Sequence, residues 1–211
     1  MTVNQIQHTA SCRDFEPKGV YLSIILFIEE QLPDFRIDKC QIDKKSIEKS
    51  YNSQLSMYLQ TQNNSSVFLF HNAPHQSNSR EPDIGTVIRT RVLNGNYDSI
   101  FDIECKRLNS TLSHVREYVS GNTGGIERFK RNEHGVDMSF SAMIGYVEDK
   151  TGTYWLNQIN AWINELHIKY PAFWKETEHL SQHANHFKST HEKPSSQYIT
   201  LFHFFYSVQY L

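Results

Sequence analysis

Phe-Asp-Ile-Glu-Cys-Lys-Arg-Leu, residues 101–108, sets an acid and a base two positions apart in an otherwise apolar run. In a strand, successive side chains alternate between faces, so Glu104 and Lys106 point one way and Cys105 the other. Two charges side by side on an apolar strand are costly for an element with a purely structural role. Asp83, in Glu-Pro-Asp-Ile-Gly (81–85), stands a short distance upstream. A second acidic strand end beside the first would offer carboxylate oxygens from two directions, as a hard divalent cation requires.

Outward from this run, the segment from Asp83 to Arg91 is expected to be strand. Asn94-Gly95-Asn96 is a hairpin-type turn signal between it and the strand from Ser99 to Lys106. Val67 to Phe70 reads as a short apolar strand, followed by an Asn/Ser/Pro-rich loop from His71 to Arg80. Further upstream, Ile47, Tyr51, Leu55, Tyr58 and Leu59 recur at helical spacing, predicting an amphipathic helix over 44–62 with Glu48 at the edge of its stripe. Gly19 to Leu32 is a nearly all-round apolar helix ended by Pro33.

Downstream, Leu112, Val115 and Val119 predict a helix over 111–119, broken by 121–125, with another helical turn over 126–132. Ser139 to Glu148 reads as a strand and Tyr154 to Tyr170 as a long amphipathic helix stopped before Pro171. Residues 175–196 are polar and His-rich, and 199–211 form an apolar, aromatic terminal strand. The order helix, three strands, helix, strand suits a mixed α/β layer with strand ends gathered at one rim. The expected fold class is therefore α/β with extra helices at both ends.

A chain of 211 residues fits a single domain able to bury a proper core. The formal charge of −2 excludes a globally basic nucleic-acid coater but leaves room for a local basic groove. Cys12, Cys40 and Cys105 are an odd number without a spaced framework, and no signal peptide is visible, so a reducing cytoplasm is expected. The apolar stretch from Val20 to Ile28 is interrupted by Ser23 and falls far short of the ~20 residues of a membrane span. No membrane partner is expected.

Pro82-Asp83 and Glu104-Cys105-Lys106 resemble the two halves of the motif of the PD-(D/E)xK, or restriction-endonuclease-like, nuclease superfamily. The interval between them suits two adjacent strands joined by a turn. The resemblance covers roughly residues 44–146, the αβββαβ core of that family, and gives no counterpart for the N-terminal helix or the extension over 150–211. It implies a Mg²⁺ cofactor, with Mn²⁺ as a substitute, held by Asp83 and Glu104 with the Cys105 carbonyl as a further oxygen. Lys106 is implied to orient or help deprotonate the attacking water and to steady the phosphate. Glu48 stands where many members carry an additional acid, as both catalytic residue and ligand. The implied activity is Mg²⁺-dependent hydrolysis of phosphodiester bonds, with DNA favoured over RNA as the nucleic acid. The alternative is a catalytically silent module on the same fold that binds nucleic acid or a protein partner.

Gly-Gly-Ile-Glu-Arg-Phe, followed by a strand ending Gly-Tyr-Val-Glu-Asp, is similar to uncharacterised bacterial nuclease-fold proteins found with defence genes. That likeness, over 118–149, implies an anti-phage or restriction setting and a defence-complex partner. A homodimer is the favoured assembly, because cutting both strands needs two centres.

Arg116, Arg128, Lys130 and Arg131 concentrate positive charge beyond the motif and are candidates for phosphate contacts that do not read sequence. Glu117, Glu127 and Glu133 interleave them, which leaves an ordinary solvated helix face as the other reading. Gly124-Gly125 could present backbone N–H groups to a phosphate or simply form a turn. Arg107, facing away from Lys106, is expected in a surface pair. The competing chemistry is zinc: His179, His183 and His186 would share one face if 175–196 were helical. His71 and His75, in the loop before Asp83, could approach the metal rim.

Overall fold

The computed structural model describes residues 18–71, 82–95 and 98–211. In chain order its strands are β1 (Phe68–His71), β2 (Ile84–Ile88), β3 (Phe101–Leu108), β4 (Phe140–Val147), β5 (Ser181–His183), β6 (His186–Glu192) and β7 (Tyr198–Ser207). The helices are α1 (Lys18–Gln31), α2 (Ile47–Gln62), α3 (Arg89–Leu93), α4 (Gly125–Lys130) and α5 (Gly152–Lys169). The strands form one mixed sheet in the order β1-β2-β3-β4-β7-β6-β5. The central trio β3, β4 and β7 is parallel, and the flanking pairs are antiparallel.

Period-two alternation along the central strands feeds two cores. Phe101, Ile103 and Cys105 of β3, Ala142, Ile144 and Tyr146 of β4, and Phe202, Phe204 and Tyr206 of β7 pack beneath α1 and α2, against Ile24, Ile28, Leu55 and Leu59. Leu108, Met143, Val147, Ile199 and Leu201 pack on the other side against Trp155, Ile159, Trp162 and Ile163 of α5 and Phe129 of α4. A sheet covered on both faces needs apolar residues at nearly every position, which is why β4 and β7 read as continuous apolar runs. Each fully buried large side chain contributes roughly 1.5–3 kcal/mol of transfer free energy. No helix among the described residues is long and apolar enough to cross a membrane.

The expected helices over 19–32, 44–62 and 154–170 correspond to α1, α2 and α5, and the expected strands over 67–70, 99–106, 139–148 and 199–211 to β1, β3, β4 and β7. Three expectations are corrected. The extended segment ends at Ile88, where the chain turns into α3, so β2 and β3 are joined through a short helix and not by a tight Asn-Gly hairpin. The helix expected over 111–119 shrinks to a 3₁₀ turn at Val115–Tyr118. Asn109 Oδ1 accepts from both the N–H and the hydroxyl of Thr111, a side-chain turn that competes with helical hydrogen bonding. Residues 181–192 form a β-hairpin, closed at Ala184 (φ 51°) and Asn185, with His183 paired to His186. Beyond α5 the C-terminal extension therefore adds β5 and β6 to the sheet beside the expected terminal strand β7. His75 and Asn96 lie outside the described residues.

The pairing of β2 with β3 shapes the face that carries the candidate residues. It runs from Thr86–Phe101 through Gly85–Asp102 to Ile84–Ile103 and stops. Continuing that register by one step sets Asp83 across from Glu104, at the point where β2 leaves the ladder. Among the described residues no strand pairs with the rest of β3 on this side.

Candidate active site

Where no described strand pairs with β3, its N–H groups are satisfied by carboxylates. Asp83 Oδ2 accepts from the Cys105 N–H at 2.8 Å, and Glu48 Oε2 accepts from the Arg107 N–H at 3.1 Å. The N–H and C=O of one strand residue point to the same edge, so the Cys105 carbonyl also faces Asp83. The Cys105 side chain is buried in the core beneath α1 and α2, on the opposite face from Glu104 and Lys106. α2 places Glu48 at the rim because its apolar stripe (Tyr51, Leu55, Leu59) is fixed to that core one turn further along.

Glu104 and Lys106 stand on the same face, as strand alternation requires, with Lys106 Nζ 2.8 Å from Glu104 Oε1 and 3.5 Å from Glu48 Oε1. Arg128 Nη1, on α4, reaches the same Glu104 oxygen at 3.2 Å. His134 Nε2 lies 3.7 Å from the other, Oε2. The structure thus brings Asp83, Glu48, Glu104, Lys106 and Arg128 together. Sequence reasoning missed two members, His134 and Asp102. Asp102 shares the strand face of Glu104 two positions earlier, a signal the period of two carries. His134, beyond α4, had no such signal.

Burial pushes the Asp83 carboxyl up, and the neighbouring Glu104 charge raises it further. Burial also works against the Glu104 charge, but Lys106, His134 and Arg128 outweigh it and hold Glu104 below its usual range. Lys106 is disfavoured as a cation by burial, yet Glu104, Glu48 and Asp83 together keep it protonated, above the ordinary lysine range. Burial holds His134 neutral, down to about 4. Two carboxylates that repel in a poorly solvated pocket are a place where a divalent cation relieves electrostatic cost.

Among the described residues no three His, Cys, Asp or Glu side chains are gathered as a cation cage. Asp83 and Glu104 with the Cys105 carbonyl could hold a hard ion that retains several of its own waters, the habit of Mg²⁺. A soft or fully caged metal does not match this donor set. His179, His183 and His186, the zinc candidates, fall on a turn and on two strands of a hairpin, so the helical face that would have gathered them is not formed.

The remaining basic candidates separate. Lys130 is fully buried, ion-paired with Glu178 and enclosed by the rings of Phe173 (4.9 Å) and Trp174 (5.0 Å), so it is corrected from phosphate contact to interior anchor. Arg131 pairs with Glu127 and Glu133, both at 3.0 Å, and Arg116 with Glu165 at 2.8 Å. Arg107 grips Glu148, one bond being 2.8 Å, and both are largely buried, so this pair is not a surface one. Gly124 and Gly125 serve close packing: a Cβ on Gly124 would lie 2.4 Å from the Ser120 backbone.

No protein-family model, curated protein or solved structure matches this chain.

Proposed function

We propose that the chain is a divalent-cation-dependent nuclease of the PD-(D/E)xK type, hydrolysing phosphodiester bonds with DNA as the first substrate to test. The observation that carries this reading is the meeting of Asp83, Glu104 and Lys106 at the divergence of β2 and β3. The succession α2-β1-β2-α3-β3-α4-β4, with β3 and β4 parallel and only the short α3 added between β2 and β3, supports a restriction-endonuclease-like core.

Phosphodiester hydrolysis needs a nucleophile generated at neutral pH and neutralisation of charge on the non-bridging oxygens. A bound Mg²⁺ or Mn²⁺ supplies a polarised water and positive charge. Asp83 and Glu104, with the Cys105 carbonyl, are the groups that would hold it, and Glu48 adds negative charge at the rim. Lys106 is a fixed cation: burial disfavours its charge, but three carboxylates keep its proton in place, so it would oppose the negative charge that grows on the phosphate. Arg128 adds a planar donor suited to phosphate oxygens.

The test is cleavage of plasmid, linear and single-stranded DNA and of RNA, with Mg²⁺, Mn²⁺ or EDTA. Asp83→Ala, Glu104→Ala and Lys106→Ala are each expected to lower metal-dependent turnover about a hundredfold or more. A folded Glu104→Ala protein that cuts as well as the parent removes the assignment.

The engagement of Glu104 by both Lys106 and Arg128 favours, as a second reading, a silent module that binds nucleic acid without cutting. Tight binding with no turnover under either metal would select it. An anti-phage setting with a defence-complex partner, a cytoplasmic location and a homodimer supplying two centres go with this proposal.

A further inference from the structure

Glu104 has its two oxygens surrounded by donors from three elements. Oε1 meets Lys106 Nζ at 2.8 Å and Arg128 Nη1 at 3.2 Å, and Oε2 faces His134 Nε2 at 3.7 Å. The Glu104 side chain is 2% exposed, so these approaches take place away from bulk water. Arg128 Nε is also 3.9 Å from Glu133, a partly exposed acid outside this cluster.

His134 is the unusual member. It is 1% exposed, and neither ring nitrogen has a hydrogen-bond partner. A buried polar group left without a bond is costly, and folds rarely tolerate one without a use for it. Its direction is fixed from two sides. The Phe129 ring lies 5.7 Å from the imidazole, and Asp102 Oδ2 accepts from the Gly135 N–H at 3.0 Å. Gly135, at φ 56°, makes the turn that presents His134 to Glu104.

A carboxylate and a phosphate are recognised by the same donors: an Arg fork, a Lys point charge and a neutral N–H. We propose that Lys106, Arg128 and His134 form a phosphate cradle in which the Glu104 carboxylate is a built-in anion. A substrate phosphate takes over these donors when Glu104 turns to a divalent cation. The identification of that phosphate as a nucleic-acid diester rests on the nuclease reading, whereas the cradle itself is a property of the three donors. His134 is then a catalytic residue, touching one non-bridging oxygen through its N–H.

The cradle is tested by removing its internal anion. Inorganic phosphate is titrated calorimetrically, in EDTA, into the full chain and into Glu104→Ala and Glu104→Gln. Glu104→Ala is expected to bind phosphate at least about tenfold more tightly than the parent, and adding His134→Ala or Arg128→Ala to reverse that gain by about five- to tenfold. Glu104→Gln is the second variant should the truncation impair folding, and cooperative melting certifies each. A measurement on the parent chain needs no change at Glu104: phosphate is expected to raise the melting temperature in Mg²⁺ but not in EDTA, and not in His134→Ala. The cradle is overturned if folded Glu104 variants bind phosphate no better than the parent, or if the double variants keep the full gain. It is also overturned if phosphate fails to protect the parent chain in Mg²⁺. Should Glu104→Ala gain phosphate affinity while the parent cuts no nucleic acid, the cradle stands and the nuclease reading falls. Should the parent cut and no variant gain affinity, the cradle alone falls.

Discussion

Lys130 shows how far a side chain's role depends on what covers it. Its charge is buried with Glu178, whose oxygens also receive the N–H groups of Lys175 at 3.2 Å and Glu192 at 3.1 Å. His191 lies 3.5 Å from the same carboxylate, Ser189 Oγ bridges His191 and His203 at 2.7 Å each, and Tyr118 closes the chain at 2.9 Å from His203. Removing one partner of a buried pair strands the other, so Lys130→Met is expected to cost about 3–5 kcal/mol of stability in denaturant unfolding. An unchanged midpoint would show that Lys130 is not the anchor it looks to be. The network also sets a pH dependence. Burial holds His203 well below the usual imidazole range, with His191 and His186 adding to the effect. The unfolded chain therefore takes up a proton near pH 6.5 that the folded chain refuses, and stability falls as pH drops below that value. His203→Gln, which does not titrate, is expected to flatten melting temperature against pH between about 6.5 and 5. His191, also depressed by burial, leaves part of the slope. Burial disfavours the Glu178 charge, but His191 and Lys130 outweigh it and hold it at about 2, down from 4.5; its contribution is complete above 4.5 and lost as pH falls through about 2.

Among the helices, α4 matters beyond its six residues, because it carries Arg128 towards Glu104 on one side and Lys130 into the interior on the other. Its start is pressed against the preceding turn. Gly124→Ala would place a Cβ 2.4 Å from the Ser120 backbone, so the helix must move. Small displacements of a positioning group cost much in rate. Gly124→Ala is therefore expected to lower metal-dependent cleavage roughly tenfold or more while far-UV circular dichroism stays unchanged. Full activity in that variant would mean Arg128 need not sit where α4 puts it. α5 offers a contrast. Thr151 Oγ1 accepts from the Tyr154 N–H at 3.1 Å, capping a helix remote from the site. Thr151→Ala is expected to cost about 1 kcal/mol in stability and nothing in turnover per folded molecule, read from paired melts and rates.

Taken as one body, the sheet is completed from the C-terminal third. β7 pairs with β4 over eight positions from Phe140–Thr200 to Val147–Ser207, so it is interior and not an appended edge. It also supplies residues to both cores, Phe202, Phe204 and Tyr206 to one and Ile199 and Leu201 to the other. Near its end, Ile37 bridges Tyr210, tying the C-terminus to the link between α1 and α2. Ending the chain after Leu180 would expose the edge of β4 and both apolar faces beside it. That truncation is expected to give no cooperative thermal transition and to elute as aggregate. A compact monomer with a sharp melt would instead make β5–β7 a dispensable addition.

Periodicity is a local property, and it carried most of the elements: the stripe of α2, the long α5, the apolar runs of β4 and β7, and the pairing of Glu104 with Lys106 on one face. That Glu104 and Lys106 share a side was legible for the same reason, since strand geometry fixes which neighbours face together, whereas Asp83 stands just outside the ladder. Partnership across the chain is not local. Glu48 reaches the Arg107 amide over 59 positions, and Lys130 finds Glu178 over 48. His134 faces Glu104 because Asp102 holds Gly135 in place. Such contacts depend on long-range strand order and on which groups end up desolvated together. A chain read one window at a time records neither, so the burial of Lys130, the hairpin over 181–192 and the enclosure of Glu104 emerge once the sheet is assembled.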